Sequence, residues 1–254
     1  MYFDTHAHYD AEQFDGDRDR VLSALPAAGV ELAVDPGCDL TSSRAALALA
    51  ERYDFLYAAV GCHPENCAPY REEDLDQIRD MARHPKCVAI GEIGLDYYWA
   101  ENPPRALQQR VFRDQLALAA ELALPVIVHD REAHGDSLAA VKEFPAVRGV
   151  FHCFAGSVEM ARELVDMGWY LSFNGAATFK NARKAPEVIA AVPLERIMVE
   201  TDAPYMAPTP FRGKRCDSRY VYRMAETIAE IKGLTPAEVE QATTENGKAL
   251  FAIP

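Results

Sequence analysis

Residues 125–130 read PVIVHD, a short apolar run that ends in two polar side chains. A strand of a parallel barrel looks like this where it emerges at its C-terminal face. The same form recurs along the chain, as YFDTH at 2–6, LAVDPG at 32–37, LYAAVG at 56–61 and VAIGEIG at 88–94. It returns as GVFHCF at 149–154, YLSFNG at 170–175 and IMVETD at 197–202. Amphipathic helical stretches separate these runs: 18–29, 42–53, 75–84, 105–123 and 157–168, with two more at 220–233 and 236–251 after the last strand. Several begin after Ser, Thr or Pro and end near Gly, as capping favours. Strands alternating with helices predict an α/β chain with a parallel sheet, closed as a (β/α)8 TIM barrel, with residues 1–254 as a single domain. An open doubly wound sheet competes, but no Gly-rich dinucleotide fingerprint follows an early strand.

The polar ends of these runs carry the chemistry. Glu92, His129, His152 and Asp202 each follow an apolar run, at the face where barrel active sites assemble from several strands. In DTHAHYD at 4–10, Asp4, His6 and His8 alternate, so on a strand all three point to one side. A buried acidic and imidazole-rich face is costly unless something occupies it. His-x-His can present two neutral imidazoles to one divalent cation. The expected ligand set is His6, His8, Glu92, His129, His152 and Asp202, and imidazoles with carboxylates do not select one metal. Any one such residue is ordinarily a hydrogen-bonded strand end; six at one predicted end point to a metal site.

Two cations about 3.5–4 Å apart stabilise both the attacking and the leaving oxygen of a displacement at phosphorus. Glu92, on a middle strand, is the natural bridging carboxylate, and Asp202 can both ligate and accept a proton from water. His63, in GCHPEN, lies near a strand end, placed either to contact a phosphate or a metal-bound water, or as a polar rim residue. Glu200 shares the face of Asp202 and is positioned to orient a ligand or to pair with a buried cation.

Composition bounds the rest. The chain is 49% hydrophobic and 26% charged, as an ordinary globular protein is. Its start carries Asp4, Asp10 and Glu12 where a signal peptide needs a basic region. Its most apolar stretch is interrupted by Glu121 and Pro125, too short to span a bilayer. A cytoplasmic protein is expected, with its six scattered cysteines reduced and no protein partner evident. The net charge of −13 argues against a broad nucleic-acid-binding surface, though bound cations reverse the local field.

Taken together, DTHAHYD, GCHPEN, GEIGLDYY, LPVIVHDREAH, HCFAGS and ETDAPY resemble the TatD family of metal-dependent deoxyribonucleases, within the amidohydrolase-like hydrolases. The matching blocks run from Asp4 to beyond Tyr205, nearly the whole chain. The resemblance implies a TIM barrel that hydrolyses DNA phosphodiesters, often from the 3′ end, with single-stranded DNA or 3′ ends as substrate. It implies one metal held by His6, His8 and Asp202, a second by His129 and His152, and Glu92 bridging them. The relatives commonly use Mg, Mn or Zn. Arg212, Lys214 and Arg215, in PFRGKRCDSRYV just after the last strand, are expected to contact substrate phosphates. Family members usually continue that RGKR run with Asn-Glu-Pro, whereas this chain has Cys216, Asp217 and Ser218, and a charge run is ordinarily a solvated loop. Two other readings compete. One is ester hydrolysis of the D-aminoacyl-tRNA deacylase type, associated with some TatD-like proteins, and the other is a metal-binding scaffold without turnover.

Overall fold

The computed structural model describes residues 1–254. Its elements begin β1 (Tyr2–Asp4), α1 (Arg18–Ala24), β2 (Val30–Pro36), α2 (Leu40–Arg52), β3 (Leu56–Val60) and α3 (Glu72–Met81). They continue β4 (Cys87–Asp96), α4 (Arg105–Leu122), β5 (Val126–Arg131), α5 (His134–Lys142), β6 (Gly149–Phe151) and α6 (Val158–Asp166). The chain closes with β7 (Tyr170–Phe173), α7 (Lys184–Ala191), β8 (Ile197–Val199), α8 (Tyr222–Lys232) and α9 (Pro236–Phe251). The strands follow chain order, β1 to β8, in one parallel sheet, the (β/α)8 barrel that the sequence predicts. No helix is long and apolar enough to cross a membrane.

Contacts cluster into two compact units, Met1–Asp35 with Cys153–Pro254, and Pro36–His152. In the first, β7 pairs with β8 and β1 with β2. The amide of Thr5 reaches Val199 O at 3.2 Å, and Ala7 bridges Ala203 in parallel, which joins the ends of β1 and β8. Helix α9 covers this pair. Thr235 caps it through a reciprocal box with Glu238, and Pro236 occupies its first turn. Gly247 lets α9 approach closely, since a Cβ there would fall 2.6 Å from the Phe3 ring. In the second unit, β3, β4, β5 and β6 pair consecutively. Val126, Ile127, Val128, Ile90 and Ile93 are buried, the core that the apolar runs specify.

Helices α5 and α7 do not stand out in the sequence. They are short, one opening on His134-Gly135 and the other carrying Pro186 in its first turn. The strand expected through His6 also stops early, at Asp4. Asp4 does not join the histidines. Its buried carboxylate accepts from Thr201 N at 2.8 Å, Thr201 Oγ1 at 2.5 Å and Ser218 Oγ at 2.5 Å. Burial raises its pKa to about 7, against the lowering effect of those donors.

Candidate active site

In the first unit, backbone bonds splice the chain after β1 to the loop after β8. Asp202 N donates to His6 O at 2.9 Å and His8 N to Ala203 O at 2.7 Å. The splice brings three side chains together. Nε2 of His6 and Nε2 of His8 lie 3.0 Å apart, and Asp202 Oδ1 is 3.9 Å from the first and 3.7 Å from the second. Asp202 has φ of +57°, a left-handed conformation that aspartate tolerates better than most residues and that often marks functional sites.

Three imidazoles converge in the second unit on one carboxylate oxygen. Glu92 Oε1 lies 2.9 Å from His129 Nδ1, 2.9 Å from His152 Nε2 and 3.4 Å from His63 Nε2. His129 Nδ1 and His152 Nε2 are 3.2 Å apart. Gly94 makes room for this layer, with φ of +144° and a position where a Cβ would meet His129 O at 2.0 Å.

These spacings fit cations. Ligands 2.0–2.1 Å from a tetrahedral metal are themselves about 3.3 Å apart. The separations, 2.9–3.4 Å around Glu92 and 3.0–3.9 Å around Asp202, bracket that edge length, and both clusters mix imidazole with carboxylate. The hydrogen bonds at the far side of each ring sort the roles. His129 Nε2 lies 3.1 Å from Asp96 Oδ2 and so donates there, which turns Nδ1 toward Glu92 as the nitrogen a cation would take. Burial opposes charge on His129, but Asp96 and Glu92 outweigh it and raise its pKa to about 9, so a cation at Nδ1 would displace the proton that the ring shares with Glu92. His63 is the reverse case. Its Nδ1 accepts from Glu65 N at 3.2 Å, so the neutral ring carries its proton on Nε2, as a donor. Burial and the charge of His129 lower its pKa to about 4.

Several supporting residues were not legible as site residues. Two buried glutamines on α4, two helical turns apart, clamp the ends of two strands. Gln115 accepts from Cys62 N at 2.7 Å and donates to Cys62 O at 3.1 Å, fixing the chain just before His63. Gln108 accepts from Asp96 N at 2.9 Å and donates to Asp96 O at 2.9 Å. The available signal was two polar residues at helical period on an otherwise apolar face. Asp10 and Asp35 form another unforeseen group with His8, their ligand atoms within 4.8 Å of one another. Burial first, and then Asp10, raises the carboxyl of Asp35 well above its usual range. Glu200 accepts from Cys153 N at 2.7 Å, holding the residue that follows His152.

The basic residues after β8 divide. Arg212 and Lys214 are exposed and line a groove of about 550 Å³ with Phe179 and Tyr205. Tyr205 is 52% exposed, its amide donates to Asp202 O at 2.8 Å, and its ring lies 6.5 Å from that of His8. Arg215 also borders the groove, but its guanidinium is committed to Asp17 at 2.7 and 2.8 Å and to Gln13 O at 2.7 Å.

Comparison with known proteins matches residues 3–252 to the family described as TatD related DNase. The chain is 48% identical to the uncharacterised metal-dependent hydrolase YabD of Bacillus subtilis (strain 168), across 100% of both chains. It is 34% identical to the protein of Cronobacter sakazakii named 3′-5′ ssDNA/RNA exonuclease TatD, over 98% of this chain and 97% of that one. The crystal structure of the TatD homologue YjjV from Escherichia coli K12 superposes with a TM-score of 0.93 at 34% identity, covering 100% of this chain and 98% of that one.

Proposed function

This chain belongs to the TatD-related DNase family of metal-dependent hydrolases, and on that premise we propose that it hydrolyses phosphodiester bonds of single-stranded DNA, working inward from 3′ ends with two divalent cations. By this reading His6, His8 and Asp202 would hold one cation and His129 and His152 the other, with Glu92 supplying a further carboxylate. Bound there, Mg, Mn or Zn would supply Lewis-acid polarisation of the scissile phosphoryl group. Asp202 accepts the proton of the attacking water, and the Nε2–H of His63 donates to a phosphate oxygen.

One observation favours a polynucleotide over a small ester. Arg212 and Lys214 stand exposed on a groove with Tyr205, whose backbone is bonded to Asp202, in a protein whose net charge is −13. Cations beside an exposed ring suit a phosphate chain that also carries bases. The test is chelated protein resupplied with Mg, Mn or Zn and given single-stranded DNA labelled at one end or the other. Mononucleotides released in order from the 3′ end, and lost in Glu92→Gln, are the expected result. Cleavage at internal positions overturns the direction of attack, and intact DNA with every metal overturns the substrate.

A further inference from the structure

The loop after β4 exposes two large rings. Tyr98 is 52% and Trp99 44% exposed, while the other tryptophan, Trp169, is fully buried. The two rings meet edge-on, with centroids 4.7 Å apart and planes at 86°. Arg131, at the end of β5, lies over both, with its guanidinium carbon 3.9 Å from the Tyr98 centroid and 5.2 Å from that of Trp99. Exposed aromatics forgo the gain of burial, so a fixed pair of them marks a binding surface more often than chance.

This pair is fixed. Tyr98 N donates to Asp96 Oδ1 at 2.9 Å, and Asn102 Nδ2 to the same oxygen at 3.0 Å. Tyr97 N donates to Arg131 O at 2.9 Å. The other oxygen of Asp96 holds His129, so one carboxylate ties the aromatic loop to the cluster around Glu92. The register agrees, with Gly94 opposite His129 and Asp96 opposite Arg131. His129 and Arg131 therefore share a face of β5, and Arg131 stands about 7 Å further along the strand than His129.

We propose that Tyr98, Trp99 and Arg131 form a stacking platform for a nucleobase of single-stranded polynucleotide whose neighbouring phosphate is bound at the Glu92 cluster. The proposal rests on the nuclease reading above. An aromatic face with an arginine accepts any base, because every base has a π-face and the guanidinium adds a cation–π contact. It binds a strand without reading its sequence, and it requires the base to be unpaired.

The test uses the whole protein loaded with Mg and strands with phosphorothioate linkages, which resist cleavage. With Trp169 buried, quenching of the intrinsic emission reports Trp99. Oligothymidylate is expected to quench saturably, and an abasic strand of equal length is not. Trp99→Ala, read by anisotropy of an end-labelled strand because the variant lacks the reporter, is expected to weaken oligothymidylate binding by about 5- to 100-fold, the range of one lost stack, and to leave binding of the abasic strand unchanged. With cleavable strands, KM for oligothymidylate rises in the variant, while KM for the abasic strand is unaltered. Binding without quenching, equal losses for both strands, or no binding at all overturns the platform. Base-dependent quenching with no cleavage by any metal leaves the platform standing and overturns the nuclease reading instead.

Discussion

His129 donates from Nε2 to Oδ2 of Asp96 across 3.1 Å, and this contact turns the other nitrogen, Nδ1, to within 2.9 Å of Glu92. A carboxylate behind a ligating imidazole fixes its tautomer and raises its basicity, and loss of such a partner costs about 10- to 100-fold in metal affinity. Asp96→Ala is therefore expected to weaken cation binding by that factor, read in a titration of chelated protein with Mn. Asp96→Asn retains an acceptor oxygen and should recover part of the loss. Equal affinity in wild type and Asp96→Ala would leave the tautomer to be set elsewhere.

Gln115 makes a second kind of support, satisfying both backbone groups of Cys62 at a buried strand end. Gln115→Ala leaves a buried amide and a buried carbonyl without partners, at about 1–3 kcal/mol each. The expected destabilisation is about 3 kcal/mol in urea unfolding. Gln115→Glu keeps the acceptor but loses the donor and buries a charge, so it should be no more stable than the alanine variant. A loss below about 1 kcal/mol in both variants would mean that the chain before His63 finds other partners.

Much of this architecture is legible in the sequence. PVIVHD, VAIGEIG and IMVETD each announce a buried strand and mark its functional end, because a parallel strand must be apolar inside and may turn polar only where it leaves the core. What the sequence hides is support at long range. Gln108 and Gln115 look like surface glutamines until α4 is seen lying over two strand ends. Asp4 reads as part of the histidine face by period-two alternation, but β1 ends at Asp4, and the chain beyond it follows the splice to Thr201–Ala203 instead. Arg215 reads as one of three equal cations. Its partner, Asp17, is distant in sequence and carries no local signal.

That partnership has a pH signature. Hydrogen bonds from Arg215, and then from Arg20, hold the carboxyl of Asp17 below its usual range. A carboxyl whose pKa is lower in the folded state stabilises the fold above the unfolded value of about 4, and this contribution fades as pH falls below it. Arg215→Ala should thus be less stable than wild type near neutrality, and the gap should narrow below about pH 4. Urea unfolding of both proteins from pH 3 to 7 measures it. A gap independent of pH would assign the effect of Arg215 to its packing over Phe14, whose ring centroid lies 4.6 Å from the guanidinium carbon.

The same division fixes how the basic run grips a strand. Arg212 and Lys214 are exposed, Arg212 over the Phe179 ring at 4.1 Å and Lys214 over that of Phe211 at 5.9 Å, and neither ring offers a competing charge. Arg215 gives three of its five donors to Asp17 and Gln13, and its charge is paired with Asp17. Each phosphate contact on a single strand contributes about 0.7 to the slope of log affinity against log salt. Arg212→Ala with Lys214→Ala should then flatten that slope by about 1.4 and raise KM more than it lowers kcat. Arg215→Ala should leave the slope unchanged, although all three cations border one groove. The measurement is a salt titration of oligonucleotide binding to chelated protein and to both variants. A slope that falls equally for Arg215→Ala would show that DNA displaces Asp17 from its guanidinium. A slope unmoved by the double variant would make the groove a solvated rim and leave the phosphates to other contacts.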